Sequence, residues 1–123
     1  MRRAILVFLF CLVSSNAFPL GLHSGADVLE ACAETQSSLA GKAVDERKAE
    51  ACIHFLMGFD SGQSIVSLTS EVSGIYCQPE GSNIGKMVDL VTSYLSANAE
   101  YKSAPAGIAV WKALSNSWPC DEK

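Results

Sequence analysis

Asp45-Glu46-Arg47-Lys48-Ala49-Glu50-Ala51-Cys52-Ile53-His54-Phe55-Leu56-Met57-Gly58-Phe59-Asp60-Ser61-Gly62-Gln63-Ser64-Ile65-Val66-Ser67-Leu68 is the stretch that decides the fold. At 100° per residue, Cys52, Phe55, Leu56, Phe59, Gln63 and Val66 fall on one stripe, the signature of an amphipathic helix. Asp45 is a suitable cap for its free N–H groups, and Glu46 in the first turn suits the positive end of the helix dipole. The spacing predicts a helix running to about Leu68, the longest element of the chain. Gly58 and Gly62 stand four apart on one narrow face of it. Glycine inside a helix costs about 0.5–1 kcal/mol relative to alanine, so this pair predicts a close approach by another backbone. Helix-on-helix packing, within one chain or across a dimer, is the plainer reading, and a ligand the sharper one.

Working outward, Ser24 or Asp27 can start a preceding helix that carries Val28, Leu29, Cys32, Gln36 and Leu39 on one side, with Gly41 as its stop signal. Downstream, Ser73-Gly74 breaks the chain, and Cys77-Gln78-Pro79-Glu80-Gly81-Ser82 is rich in turn formers. Asn83 can cap a third helix with Ile84, Met87, Val88, Val91, Tyr94 and Leu95 on its apolar face. Ala104-Pro105 opens a last helix at a position where proline forfeits no N–H bond. Ile108, Trp111, Leu114 and Trp118 are expected on its buried side, and Pro119-Cys120 ends it. No run of four or more residues alternates as a half-buried strand would. The expected fold class is all-α, a small four-helix domain stapled by disulfides, with room for an extra short helix.

At the amino end, Arg2 and Arg3 precede ten consecutive apolar residues, Ala4 to Val13, and Ser15-Asn16-Ala17 offers small residues to a signal peptidase. Residues 1–17 are therefore expected to be a cleaved secretory signal, with cleavage after Ala17, leaving one domain over residues 18–123. A membrane-spanning helix needs about 20 apolar residues, so no membrane insertion is expected once the signal is gone. Phe10 before Cys11 is too bulky for a lipidation site, and Cys11 departs with the signal.

The whole chain of 123 residues carries 9 basic and 13 acidic side chains. Without Arg2 and Arg3 seven basic residues face the same thirteen acidic ones, a net charge of −6. Nucleic acid and anionic lipid both require a basic stripe, so neither is an expected partner. A basic protein suits this surface better.

Cys32, Cys52, Cys77 and Cys120 remain in the mature chain. An even number of cysteines in a small exported domain reads as a disulfide framework. Zinc sites usually place ligands two to four residues apart, and no Cys-x-x-Cys pair is present. Four cysteines permit three pairings. A hairpin of the first two helices would bring Cys32 beside Cys52, and the Cys77 loop could tie down Cys120, so those are the expected pairs.

Catalytic constellations fail one by one. Cys52 and His54, two apart on a helix, point about 160° from each other and cannot share a proton. Gly81-Ser82-Asn83-Ile84-Gly85-Lys86 has three residues between its glycines where a phosphate loop needs four, and Met87 stands where Ser or Thr would hold magnesium. Glu30 with Glu34 and Glu46 with Glu50 read as solvated helix faces rather than a glycosidase pair. No enzyme activity, cofactor or metal is expected.

Taken in order, these features resemble a known family. Cys52-Ile53-His54-Phe55-Leu56-Met57-Gly58 is similar to the Cys-x-Gly-Tyr-[Ile/Leu]-x-Gly block of the Rap/Tai immunity proteins of bacterial type VI secretion. Tyr76-Cys77-Gln78-Pro79 resembles that family's Cys-x-Pro loop, and Val88 to Leu95 its Val-Val-x-x-Tyr-Leu helix. Ala113-Leu114 with Trp118-Pro119-Cys120 resembles its closing Ala-Leu and Phe-Pro-Cys. His54 and Phe55 replace the usual Gly-Tyr, Lys86 a common Gln, and Asn98-Ala99 a His-Pro. The resemblance implies a periplasmic, all-helical, disulfide-linked protein, commonly a homodimer, that neutralises an injected toxin. For the best-known members that effector is a peptidoglycan amidase, and the inhibitor acts by filling its cleft. Two other classes fit the same composition: a helical periplasmic chaperone of the acid-stress type, and an exported binding protein without a toxin partner.

Overall fold

The computed structural model describes residues 21–69 and 74–121. The expected signal, its cleavage site after Ala17, and Ser73 lie outside the described residues. Within them the fold is all-helical. Helix α1 spans Gly25–Leu39, α2 Glu46–Thr69, α3 Ile84–Ala97 and α4 Ala106–Ser117, with a short 3-10 turn at Ala99–Ser103.

Local chemistry starts these helices where the sequence places their caps. The Ser24 hydroxyl accepts from Asp27 N at 3.2 Å while the Asp27 carboxylate accepts from Ser24 N at 2.9 Å, a reciprocal capping box. The Ser24 hydroxyl and backbone N–H together hold the Asp27 carboxyl below its ordinary range. Asp45 accepts from Arg47 N and Lys48 N, and Asn83 from Lys86 N at 3.0 Å. Gly41, just past α1, takes φ of +72°, which glycine adopts without a side-chain clash.

Helix α1 packs against every other helix, most extensively α2. The α1–α2 hairpin is stapled by the Cys32–Cys52 disulfide. Beside it Thr35 Oγ1 donates to Ala49 O at 2.9 Å, and Lys48 pairs with Glu30 at the rim. The common core joins Val28 and Cys32 of α1, Cys52 and Leu56 of α2, Met87, Val88, Val91 and Leu95 of α3, and Ala109, Val110, Ala113 and Leu114 of α4. Tyr76 and Trp118 close it at one end.

Three apolar residues expected to be buried are not: Leu39 is 69% exposed, Val66 49% and Ile108 46%. Leu39 is the last residue of α1. For Val66 the cause is a mismatch in length. Counting from the disulfide in antiparallel register, Gly25 at the start of α1 stands opposite about Phe59, yet α2 continues ten residues further, to Thr69. At 1.5 Å per residue that overhang is about 15 Å. The buried positions of α2, Ala49, Cys52 and Leu56, all lie before it. For Ile108 the cause is a competing stripe. The chain buries Ala106, Ala109, Val110, Ala113 and Leu114 instead, because alanines let α4 approach its neighbours closely. Ile108 and Trp111 are thereby turned to the outer flank.

Close approach also explains Gly25. A Cβ there would lie 2.1 Å from the Tyr101 carbonyl oxygen and 3.0 Å from Ala109 Cβ. Backbone cannot yield as a side chain does, so Gly25→Ala is expected to cost about 1–3 kcal/mol as an overpacking substitution, despite alanine's better helix propensity. Chemical denaturation of the two proteins checks this, and equal or greater stability of the variant would refute the tight contact.

Candidate partner-binding face

The overhang of α2 meets residues 74–76, and the contact is organised by one amide. Gln63 Oε1 accepts from Ile75 N at 3.2 Å, and Gln63 Nε2 donates to Tyr76 O at 3.4 Å. A Cβ on Gly74 would sit 2.7 Å from that same Oε1, so the residue before Ile75 has little room for a side chain. Tyr76 then turns inward, 1% exposed, its hydroxyl donating to Asp60 Oδ1 at 2.6 Å. Its ring stacks on Phe59, centroids 6.3 Å apart, and tilts against Trp118 at 6.2 Å. Burial, then the Asp60 carboxylate, pushes the Tyr76 phenol far above its ordinary range. The neutral hydroxyl is therefore a permanent donor to Asp60. The next residue, Cys77, donates its N–H to Trp118 O at 2.9 Å and is bonded to Cys120.

With Tyr76 anchored inward, Ile75 faces outward, 42% exposed. It borders an open groove of about 450 Å³ lined by Phe59, Ile75, Pro105, Gly107, Ile108 and Trp111. None of these six is charged, and Lys112 Nζ lies 4.5 Å from the centre of the Trp111 ring. A second hollow of about 370 Å³, lined by Gly58, Phe59, Gly62, Gln63, Val66 and Ile75, shares Phe59 and Ile75 with the first, so the two form one face across α2 and α4. An apolar groove with tryptophan, phenylalanine and isoleucine at its walls has the composition that concentrates binding energy in interfaces.

Gly58 and Gly62 form a ledge of this face. No backbone of the same chain packs against them within the described residues: nothing lies within 4 Å of where either Cβ would be. Gly62 lies on the part of α2 that runs past the start of α1, opposite Phe59, so α1 brings no backbone over it. Gly58→Ala and Gly62→Ala should each therefore stabilise the isolated protein, by about 0.5–1 kcal/mol through helix propensity and reduced unfolded-state freedom. Thermal denaturation tests this, and a lowered midpoint would mean that the space is occupied.

The other residues singled out by sequence do not converge. Cys52 is buried in its disulfide and His54 is exposed. Glu30 pairs with Lys48, and Glu34 accepts from Asp45 N at 3.0 Å, so both serve the hairpin. Among the described residues no group of three or more His, Cys, Asp or Glu side chains is placed to hold a metal. Sequence reasoning missed Ile75, whose available signal was an apolar residue between a glycine and an aromatic-cysteine pair.

Fold and face together define a disulfide-stapled helical binding domain. The family model of the Rap1a immunity proteins matches residues 24–120, from the cap of α1 to the last cysteine, and the chain belongs to that family. No curated protein and no solved structure matches it significantly. Family membership makes it an immunity protein of type VI secretion, whose partner is an effector.

Proposed function

We propose that residues 18–123, released from a cleaved signal, act in the periplasm by binding a type VI effector that degrades peptidoglycan, an amidase, and covering its cleft. The observation that carries this reading is the uncharged groove of Phe59, Ile75, Ile108 and Trp111, exposed in an otherwise acidic protein. Apolar walls supply the docked affinity, while a mature charge of −6 speeds encounter with a basic enzyme through long-range attraction. Two disulfides suit an oxidising compartment. No helix among the described residues is long and apolar enough to cross a membrane. Inhibition by occlusion requires no chemistry from the inhibitor. We propose further that the mature protein is a homodimer, which light scattering would read directly.

The test is to immobilise the oxidised mature protein, expose it to soluble protein from the source strain at moderate salt, and identify what is retained by mass spectrometry. A single cell-wall hydrolase, silenced at a fixed molar ratio, is the expected result. Retention of nothing at neutral pH, with broad client binding after acidification, would replace this reading by the chaperone.

A further inference from the structure

The two disulfides occupy opposite environments. Cys32 and Cys52 are both 0% exposed at the centre of the core. Cys77 is exposed and Cys120 half-buried, and their bond joins two segments outside the helices, residues 74–83 and residues 118–121. Disulfide exchange depends on a thiolate reaching a sulfur, and exposed bridges are the labile ones. We infer that the Cys77–Cys120 bridge is a thiol–disulfide exchange site, opened by a dithiol at the Cys77 sulfur while Cys32–Cys52 stays closed in the folded protein.

The chemistry balances within the pair of reactants. A thiolate of the dithiol bonds to Cys77 Sγ, and the bond to Cys120 breaks, releasing a Cys120 thiolate that takes up a proton. The second thiol of the reagent, as its thiolate, then attacks the reagent sulfur of the mixed disulfide, and Cys77 leaves and is protonated. The protein gains two electrons and two protons, and the dithiol becomes a disulfide.

Opening this bridge loosens the segment that presents Ile75. Tyr76 keeps its place against Phe59 and Trp118, and the remaining hydrogen bonds are those of the Gln63 amide, Tyr76 with Asp60, Cys77 N with Trp118 O, and Cys120 Sγ with Gly74 O. Helices α1 and α2 keep their own staple. The binding face is thus in register when the protein is oxidised and loosened when it is reduced, a consequence that rests on the docking role proposed above for that face.

Graded dithiothreitol followed by alkylation and peptide mapping tests the assignment on the mature protein. Cys77 and Cys120 should be alkylated at least roughly tenfold faster than Cys32 and Cys52, with helical circular dichroism retained. Amide exchange should rise at residues 74–82 and 118–121 while α1 and α2 stay protected. Simultaneous labelling of all four cysteines, or none until the protein is denatured, would overturn it. A Cys77→Ser/Cys120→Ser variant should fold, keep Cys32–Cys52 and reproduce the loosened exchange pattern; an unfolded variant, or one with unchanged exchange, would also overturn it. Ile108→Asp, which disturbs the face and not the bridge, should leave the labelling order unchanged. Failure of the docking reading is thus separable from failure of this one.

Discussion

Removing the buried staple with Cys32→Ala/Cys52→Ala is expected to destabilise the mature protein by about 4 kcal/mol, an effect matched only by loss of the longer Cys77–Cys120 loop. Two contributions add. The bridge closes a loop of sequence separation 20, which in the chain-entropy model contributes about 3 kcal/mol by restricting the unfolded state. Both cysteines are fully buried among Val28, Leu56 and Val88, so truncation also leaves a cavity with its own cost, of order 1 kcal/mol for atoms of this size. Against a total stability of roughly 5–15 kcal/mol, the variant should melt on the order of 20 °C lower. Differential scanning calorimetry under oxidising conditions measures this. A drop of less than about 5 °C would show that α1 and α2 are held by packing alone and that the bridge is incidental.

The largest effect on binding is expected at the flank of α4. Trp111 lines the groove half-buried and Ile108 is 46% exposed beside it, so neither contributes much to the core. Trp111→Ala should weaken binding of the effector by about 2–4 kcal/mol, the range for a central aromatic anchor, which is roughly a 30- to 1,000-fold rise in Kd. Ile108→Asp should do comparable damage by a different route, placing a charge where docking would strip it of water. Both variants should melt within a few degrees of the parent, since the groove is already open to solvent. Calorimetric titration against the captured effector, with thermal denaturation as control, separates the effects. Unchanged affinity in both would move the interface elsewhere on the protein.

How much of this was legible in the sequence follows from the range of the forces involved. Caps are local: Ser24 with Asp27, Asp45 and Asn83 announce helix starts within four residues, and each makes the expected hydrogen bond. The all-helical class follows from apolar periodicity, which survives any detail of packing. The identity of the buried face on α4 was harder, because two stripes compete. The bulkier one, with Ile108 and Trp111, looks more hydrophobic, yet the alanine stripe is buried because it permits a shorter distance between helices. That choice depends on the neighbouring helices and cannot be read from α4 alone. Likewise Gly62 lies open because α2 runs past the start of α1. Residues that make up the candidate face are in large part those whose amphipathic pattern predicts burial and whose tertiary partners stop short of them. Ile75 is set by a glutamine 12 positions earlier, a relation with no local sequence signature.

We propose that this immunity protein silences its effector by covering it with the groove across α2 and α4. It is tested most directly by titrating the captured hydrolase, on purified peptidoglycan, with the oxidised mature protein and with Ile108→Asp in parallel. Activity should fall linearly to zero at a fixed molar ratio with the parent protein. The variant, equally folded, should leave the hydrolase active at that ratio. Full inhibition by both proteins at the same ratio would contradict the assignment of the face, and undiminished activity at saturating parent protein would contradict inhibition itself.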